Sequence, residues 1–218
     1  MNDAYQFGYP QNCERCAVHT GCALSLRVAP YFKPGSTPRM MLIGQDPTIR
    51  KKPERVSQVL MLNEPHGQLS RWLKDLFGLE NFETVTLYAT NLVKCSFDTP
   101  PSNSSEGGLR FLKPYFECCH EHLEREILAF RPECVLTLGE PTHKLFVSKL
   151  DPPHTVPDTM QGAFTGHFIK AAMSGFEFDY SPCLHIQTFR VAEVYGESVR
   201  NFKKGFSSYF ESRKSSAQ

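Results

Sequence analysis

Residues 40–47 combine a buried-strand pattern with the residue types that ligand sites use. Four apolar residues run directly into Gly44-Gln45-Asp46-Pro47, which predicts a parallel strand that opens into a tight loop. Gly44 permits a sharp turn and a close approach to a ligand, and Pro47 restricts the residue before it, so the Asp46 carboxylate is directed. Ligands of open α/β sheets bind at such strand ends. The alternative is a solvated turn in which Asp46 makes a local hydrogen bond.

A second strand pattern, residues 85–91, also ends in a polar residue. Asn91 offers a carbonyl and an amide side by side, which suits a ring edge with adjacent donor and acceptor groups. The alternative is that its side chain only hydrogen-bonds a neighbouring backbone group. The chain continues Leu-Val-Lys-Cys, so Asn91 lies four residues before Cys95.

The eight cysteines point to metal chemistry for some of them. Cys13 and Cys16 form a C-x₂-C pair, which brings two thiolates to one metal and is used by zinc and iron–sulfur sites alike. With His19 and Cys22 the spacing also fits a compact zinc site. The alternative for the pair is two inert thiols at a helix start. Cys134 and Cys183 lie in apolar strands and are predicted to be core residues.

Composition limits the function classes. The net charge of +1 provides no global field for nucleic acid or membranes, so any nucleic-acid binding needs a local patch such as the basic stretch 50–55. No apolar run approaches the roughly 18 residues of a membrane span, and the N-terminus lacks a secretory pattern. We therefore expect a cytoplasmic protein with no membrane partner, in which the cysteines do not form a disulfide framework.

Strand and helix patterns alternate along the chain. Strand patterns occupy 40–44, 85–91 and 134–138, two short strands fall within 163–186, and helices are predicted at 67–77, 111–130, 142–150 and 191–211. Residues 31–38 are predicted to be a turn-rich connection. The alternation predicts an α/β fold with a mostly parallel sheet. We predict a single domain over 1–218, with 1–12 and 212–218 flexible.

The segments 44–47 and 91–95, together with His185, resemble the uracil-DNA glycosylase superfamily. Gly-Gln-Asp-Pro resembles the water-activating motif of one of its families. Asn-Leu-Val-Lys-Cys and the helix that follows Cys119 resemble the iron–sulfur-containing family, to which the chain is closest. The resemblance covers about 13–205. It implies a three-layer α/β/α sandwich with a central, mostly parallel sheet of four to five strands, and a monomer.

The resemblance implies base-excision repair of DNA that contains uracil or a related deaminated base. The nucleotide is flipped into a pocket and its N-glycosidic bond is hydrolysed. Asp46 orients water and stabilises positive charge on the sugar, and His185 hydrogen-bonds the departing base. The alternative for His185 is a core histidine paired with backbone groups. The other implied site residues bind the base or the DNA: Gln45, Asn91 and Leu62 for the base, and Thr188 and Arg190 for the DNA.

The resemblance also implies a [4Fe–4S] cluster with a structural role. Its ligands are Cys13, Cys16, Cys95 and Cys119, and Cys118 could replace Cys119. Zn²⁺ remains the alternative metal.

Several positions depart from the family patterns. Thr48 and Ile49 replace Tyr and His after the proline, Leu62 stands where the iron–sulfur family has a stacking Phe, and Ile186 follows His185 in place of Pro. These departures support an alternative function: a catalytically altered or inactive glycosylase-like protein that binds nucleic acid or nucleotides and keeps a structural metal site.

Overall fold

The structure is a computed structural model that describes residues 6–10, 28–47, 58–94, 97, 101, 107–185 and 192–216, with the side chains of the last range described for 196–213. The strands are β1 (Tyr31–Lys33), β2 (Ser36–Gly44), β3 (Val85–Asn91), β4 (Cys134–Leu138), β5 (Ile169–Met173) and β6 (Phe176–Cys183). The helices are α1 (Gln68–Phe77), α2 (Leu79–Thr84), α3 (Gly108–Phe130), α4 (Glu140–Val147), α5 (Met160–Ala163) and α6 (Ala192–Ser216), and a 3₁₀ helix covers Val59–Met61.

The six strands of the described chain form one mixed sheet with the order β1-β3-β2-β4-β6-β5. Neighbours among β3, β2, β4 and β6 are parallel, whereas β1 and β5 pair antiparallel at the two edges. The predicted α/β class with a mostly parallel sheet is confirmed, but the sheet has six strands rather than four or five. The additional strand β1 lies in the segment predicted to be a turn-rich connection, because three residues are too few to show a period of two.

The two faces of the sheet carry two separate hydrophobic cores. Side chains alternate along a strand, so Met41 and Ile43 of β2 pack in one core and Met40 and Leu42 pack in the other. The first core is closed by α3 and α4, and the second by α1 and α6. All four of these β2 side chains are fully buried, as expected for a parallel strand that is covered on both faces. The chain is therefore an α/β/α sandwich.

The predicted helices agree with the observed ones within a few residues. The buried stripe of α3 repeats at helical spacing and fits the first core: Leu112, Phe116, Cys119, Leu123, Ile127 and Phe130. Helix α6 continues to Ser216, through residues predicted to be part of a frayed tail. Arg213 explains this extension, because its guanidinium pairs with Asp179 and Glu133. No helix in the described ranges is long and apolar enough to cross a membrane.

The carboxyl ends of the parallel strands meet at one edge of the sheet. Gly44 at the end of β2 is in register with Asn91 at the end of β3, and Leu138 of β4 is in register with Cys183 of β6. The Gly139 N–H donates to the Cys183 carbonyl at 2.8 Å. Asp46, Asn91 and His185 therefore lie at or just after strand ends along the same edge of the sheet.

A buried hydrogen-bond chain fixes α4 behind this edge. His143 Nε2 lies 2.9 Å from the Pro157 carbonyl oxygen, and Nδ1 lies 2.7 Å from the Tyr180 hydroxyl. A carbonyl only accepts, so Nε2 carries the proton and Nδ1 accepts from Tyr180. Tyr180 in turn lies 2.7 Å from the Thr137 hydroxyl. Burial lowers the pKa of His143, which keeps the ring neutral and this chain intact.

Candidate active site

The Gly44-Gln45-Asp46 loop is held against the end of β3 by the backbone. The Leu92 N–H donates to the Gly44 carbonyl at 2.8 Å, and the Val93 N–H donates to the Gln45 carbonyl at 2.9 Å. Asp46 is only 8% exposed, and its Oδ1 accepts a 2.8 Å hydrogen bond from Gln45 Nε2. This burial differs from the solvated turn that was the alternative for Asp46. The carboxylate is oriented within the site.

The Asn91 side chain is buried without a hydrogen-bond partner in the described part of the chain. The residue is 1% exposed, and neither Nδ2 nor Oδ1 bonds to any described residue. The Asn91 side chain therefore does not hydrogen-bond a neighbouring backbone group within the described part of the chain, which was the alternative for this residue. Each unsatisfied buried polar group costs about 1–3 kcal/mol. A donor and an acceptor that are left unpaired side by side are the arrangement expected of a ligand-reading group.

Gly44 makes room for this amide. A Cβ atom at position 44 would lie 2.5 Å from Asn91 Oδ1 and 2.7 Å from Leu60 Cδ2, both too close for real atoms. Only glycine allows the β2 backbone and these two side chains to approach so closely. The Asn91 amide and the Leu60 side chain thus both lie against the Gly44 backbone, and the polar atoms of the amide are closed off from solvent.

The leucine beside the amide is Leu60 rather than Leu62. Leu60 and Met61 both adopt left-handed backbone conformations, with φ of 60° and 51°, and each such residue costs about 1–3 kcal/mol. This backbone directs Leu60 to Gly44, where it is half-buried at the margin of the second core, whereas Leu62 is 5% exposed and is a buried member of that core. The base-binding role of Leu62 stays a prediction, but its side chain is part of the core packing.

His185 follows β6 at the same edge. The residue is exposed, so it is not the core histidine that was the alternative. Partial desolvation lowers the pKa of its imidazole, which favours the neutral ring at pH 7. Gly139, with φ of +85°, passes beside it, since a Cβ there would lie 3.4 Å from His185 Cβ. Two strand spacings, roughly 10 Å, separate β2 from β6, the strands that precede Asp46 and His185.

Comparison with known proteins identifies the family. The model of the uracil DNA glycosylase superfamily matches residues 30–195, more than half of the chain. The chain belongs to the uracil DNA glycosylase superfamily. The matched region contains all of the strand ends described above, together with Asp46, Asn91 and His185. No curated protein matches the chain.

Several residues nominated for this superfamily member lie outside the described ranges. They are the candidate metal ligands Cys13, Cys16 and Cys95, the zinc alternatives His19 and Cys22, the DNA-contact residues Thr188 and Arg190, the departures Thr48, Ile49 and Ile186, and the basic stretch 50–55. Within the ranges that are described, no group of three or more His, Cys, Asp or Glu side chains is arranged to hold a metal ion.

Of the candidate ligands, Cys119 is described. It is fully buried on α3, and its Sγ lies 3.5 Å from the Lys94 backbone nitrogen. Cys118 is half-buried on the same helix. Cys134 and Cys183 are fully buried in β4 and β6, which confirms that they are core residues, and burial raises the pKa of both thiols.

The structure adds residues that the sequence analysis did not nominate. Nothing in the sequence distinguishes Leu60 as a site residue, because it is one of several apolar residues in a short run. Lys94 and Glu126 form a fully buried ion pair beneath Asn91. Glu126 could have been noticed, since it falls at the i+7 position from Cys119 on the buried stripe of α3, where an acid is unexpected.

Proposed function

We propose that this protein is a DNA glycosylase that hydrolyses the N-glycosidic bond of uracil or a related deaminated base after flipping the nucleotide out of the helix. The buried amide of Asn91, which has no partner among the described residues, carries this proposal. An unsatisfied donor–acceptor pair is costly, and the edge of a pyrimidine ring with adjacent N–H and C=O groups would satisfy both atoms at once.

The chemistry follows from three groups at the strand ends. Asp46 orients the attacking water and offsets the positive charge that develops on the sugar as the bond to the base breaks. A neutral His185 donates a hydrogen bond to the departing base and spreads its negative charge. Gln45 donates its backbone N–H to the base. Extrusion of the nucleotide costs a few kcal/mol and is cheapest for a mismatched base, which favours deaminated sites.

Leu60 forms the apolar wall of the proposed base site. It lies against Gly44 beside the Asn91 amide. Both amide atoms are closed off from solvent, so a ring reaches them only after neighbouring side chains move. An aliphatic wall provides less ring stacking than an aromatic one. Base selection therefore depends mainly on the Asn91 hydrogen bonds.

The proposed cofactor is a [4Fe–4S] cluster bound by Cys13, Cys16, Cys95 and Cys119. The position of Cys119 supports this ligand set, because its sulfur lies beside the Lys94 N–H and the next residue along the chain is Cys95. Backbone N–H groups commonly donate to cluster sulfurs. The cluster would cross-link α3, the loop after β3 and the N-terminal segment, and no catalytic step requires it. Zn²⁺ at these cysteines is the alternative.

The deciding experiment is a glycosylase assay on anaerobically purified protein. The substrates are oligonucleotides that carry uracil, hypoxanthine, xanthine or thymine opposite guanine, and cleavage at the abasic site is the readout. We expect excision of uracil or another deaminated base, and a decrease of about 10²–10⁴-fold in Asp46→Asn, the usual range for a proton-transfer or charge-stabilising group. Asp75→Asn is the matched control, since Asp75 is an exposed carboxylate on α1.

The alternative function, a glycosylase-like protein that binds nucleic acid without catalysis, is favoured by the burial of Leu62 in the core and by the lack of an aromatic residue at that position. It predicts salt-dependent binding to oligonucleotides with no abasic product from any substrate. Product formation by the wild-type protein, lost in Asp46→Asn and kept in Asp75→Asn, would exclude it.

A further inference from the structure

A fully buried ion pair lies directly beneath the Asn91 backbone. The side chains of Lys94 and Glu126 both have zero exposure, and Lys94 Nζ bonds to Glu126 Oε2. Lys94 Nζ also donates to Thr90 Oγ1 at 2.7 Å and to the Asn91 carbonyl oxygen at 2.8 Å. An ammonium has three donors, so all of them are used, and one of them holds the candidate base-reading residue.

Glu126 also hydrogen-bonds to strand β3 through its second carboxylate oxygen. Its Oε1 accepts hydrogen bonds from the Tyr88 hydroxyl at 2.5 Å and from Thr90 Oγ1 at 2.8 Å. Burial and the nearby Glu126 carboxylate raise the pKa of Tyr88, so its hydroxyl remains a donor. The carboxylate therefore connects α3 to two residues of β3 and, through Lys94, to a third.

Stability alone is a weak explanation for this network. Removing two charges from water is costly, and replacing a buried ion pair with neutral residues is often harmless or stabilising. In some proteins such pairs are retained because they specify one conformation. The Asn91 amide has no hydrogen-bond partner within the described ranges, so its orientation depends on packing and on how firmly its backbone is held.

We propose that Lys94, supported by Glu126, is a positioning residue that holds the Asn91 backbone so that the side-chain amide faces the incoming base. The inference rests on the proposed function. The Leu92 and Val93 N–H groups, which follow Asn91 in the chain, bond to the Gly44–Gln45 loop. The Lys94 ammonium bonds to the carbonyl of Asn91 itself.

The test uses a neutral replacement of the pair, Lys94→Met with Glu126→Gln. The introduced glutamine keeps an oxygen acceptor for Tyr88 and Thr90, while the introduced methionine cannot donate to the Asn91 carbonyl. We expect this double variant to fold with a melting temperature close to that of the wild type. Its single-turnover rate of uracil excision should fall about 10- to 100-fold, as expected when a binding group is displaced by up to about 1 Å.

A double-mutant cycle separates positioning from general damage. In an Asn91→Ala background, the Lys94/Glu126 replacement should change the excision rate less than about 2-fold, because Lys94 acts through the missing side chain. Full additivity would overturn the inference. The control is Lys149→Met with Glu117→Gln, the same change at a part-exposed pair 2.6 Å apart between α3 and the segment just after α4. It should leave excision unchanged.

Crystal structures of the wild type and the neutral-pair variant provide a readout that does not need activity. A displaced or rotated Asn91 amide in the variant supports the inference, and an unchanged amide overturns it. If the wild type excises no base, the proposed glycosylase function fails, and the crystal structures still decide whether Lys94 positions Asn91.

Discussion

Replacement of Gly44 by alanine tests the proposed site most directly. The new Cβ would lie 2.5 Å from Asn91 Oδ1 and 2.7 Å from Leu60 Cδ2, so about 0.9 Å and 0.7 Å short of the 3.4 Å of an ordinary contact. Gly44 and Asn91 are in register, and two backbone hydrogen bonds hold the loops that follow them. The strain must therefore be relieved by movement of the two side chains.

The expected magnitudes separate a local effect from unfolding. Overpacking of this kind costs about 1–3 kcal/mol, which lowers the melting temperature of a chain of this size by roughly 2–12 °C. Displacement of the reading amide by nearly 1 Å costs about 10²-fold in rate. We expect Gly44→Ala to remain folded at 25 °C and to excise uracil about 100-fold more slowly than the wild type in a single-turnover assay.

The control is Gly196→Ala on α6, where a new Cβ has only the Arg200 guanidinium within 4 Å among the described atoms, at 3.8 Å. It should leave excision unchanged and stabilise the protein slightly, because alanine favours a helix. Wild-type excision by Gly44→Ala, or a loss of activity that merely follows the unfolded fraction, would refute the assignment of Asn91 as the reader of the base.

Three further predictions follow from the described side chains. Burial lowers the pKa of His143 from 6.5, so the unfolded state binds more protons than the folded state below about pH 6.5, and stability should decrease as the pH falls from there. In His143→Gln, melting temperatures measured from pH 7.5 to 5 should therefore decrease less steeply than in the wild type. An unchanged slope would contradict this. Cys119→Ser should lose iron and the brown colour of a cluster, whereas Cys134→Ser should retain both, as measured by iron analysis and absorbance. A colourless wild-type protein that contains zinc would show that the metal is Zn²⁺ and not an iron–sulfur cluster. Leu62→Ala should lower the free energy of unfolding by about 2–5 kcal/mol in denaturant titrations, with the excision rate of the folded fraction preserved. Leu60→Ala should instead change the ratio of uracil excision to thymine excision. The reverse pattern would show that Leu62, and not Leu60, forms the apolar wall of the base site.

Much of the architecture was predictable because it is encoded locally. The apolar run at 40–43 is a strand that is buried on both faces, and the helical stripe of α3 is visible in its spacing. Parallel strands share one carboxyl edge, so the sequence alone was enough to place Asp46 and Asn91 at the same edge. The edge strand β1 was missed, since its three residues contain less than two full periods of the pattern.

Other parts of the site were decided only by tertiary structure. Leu60 and Leu62 look alike in the sequence, and the left-handed backbone at Leu60 determines which of them reaches Gly44. Lys94 and Glu126 are 32 residues apart and meet only because α3 packs across the face of β3. Hydrophobic period and turn chemistry act between neighbours along the chain, so they define the elements and their ends. Contacts across the sheet depend on register and packing, and these alone place the Asn91 amide, Gly44 and the buried Lys94–Glu126 ion pair together at one strand end.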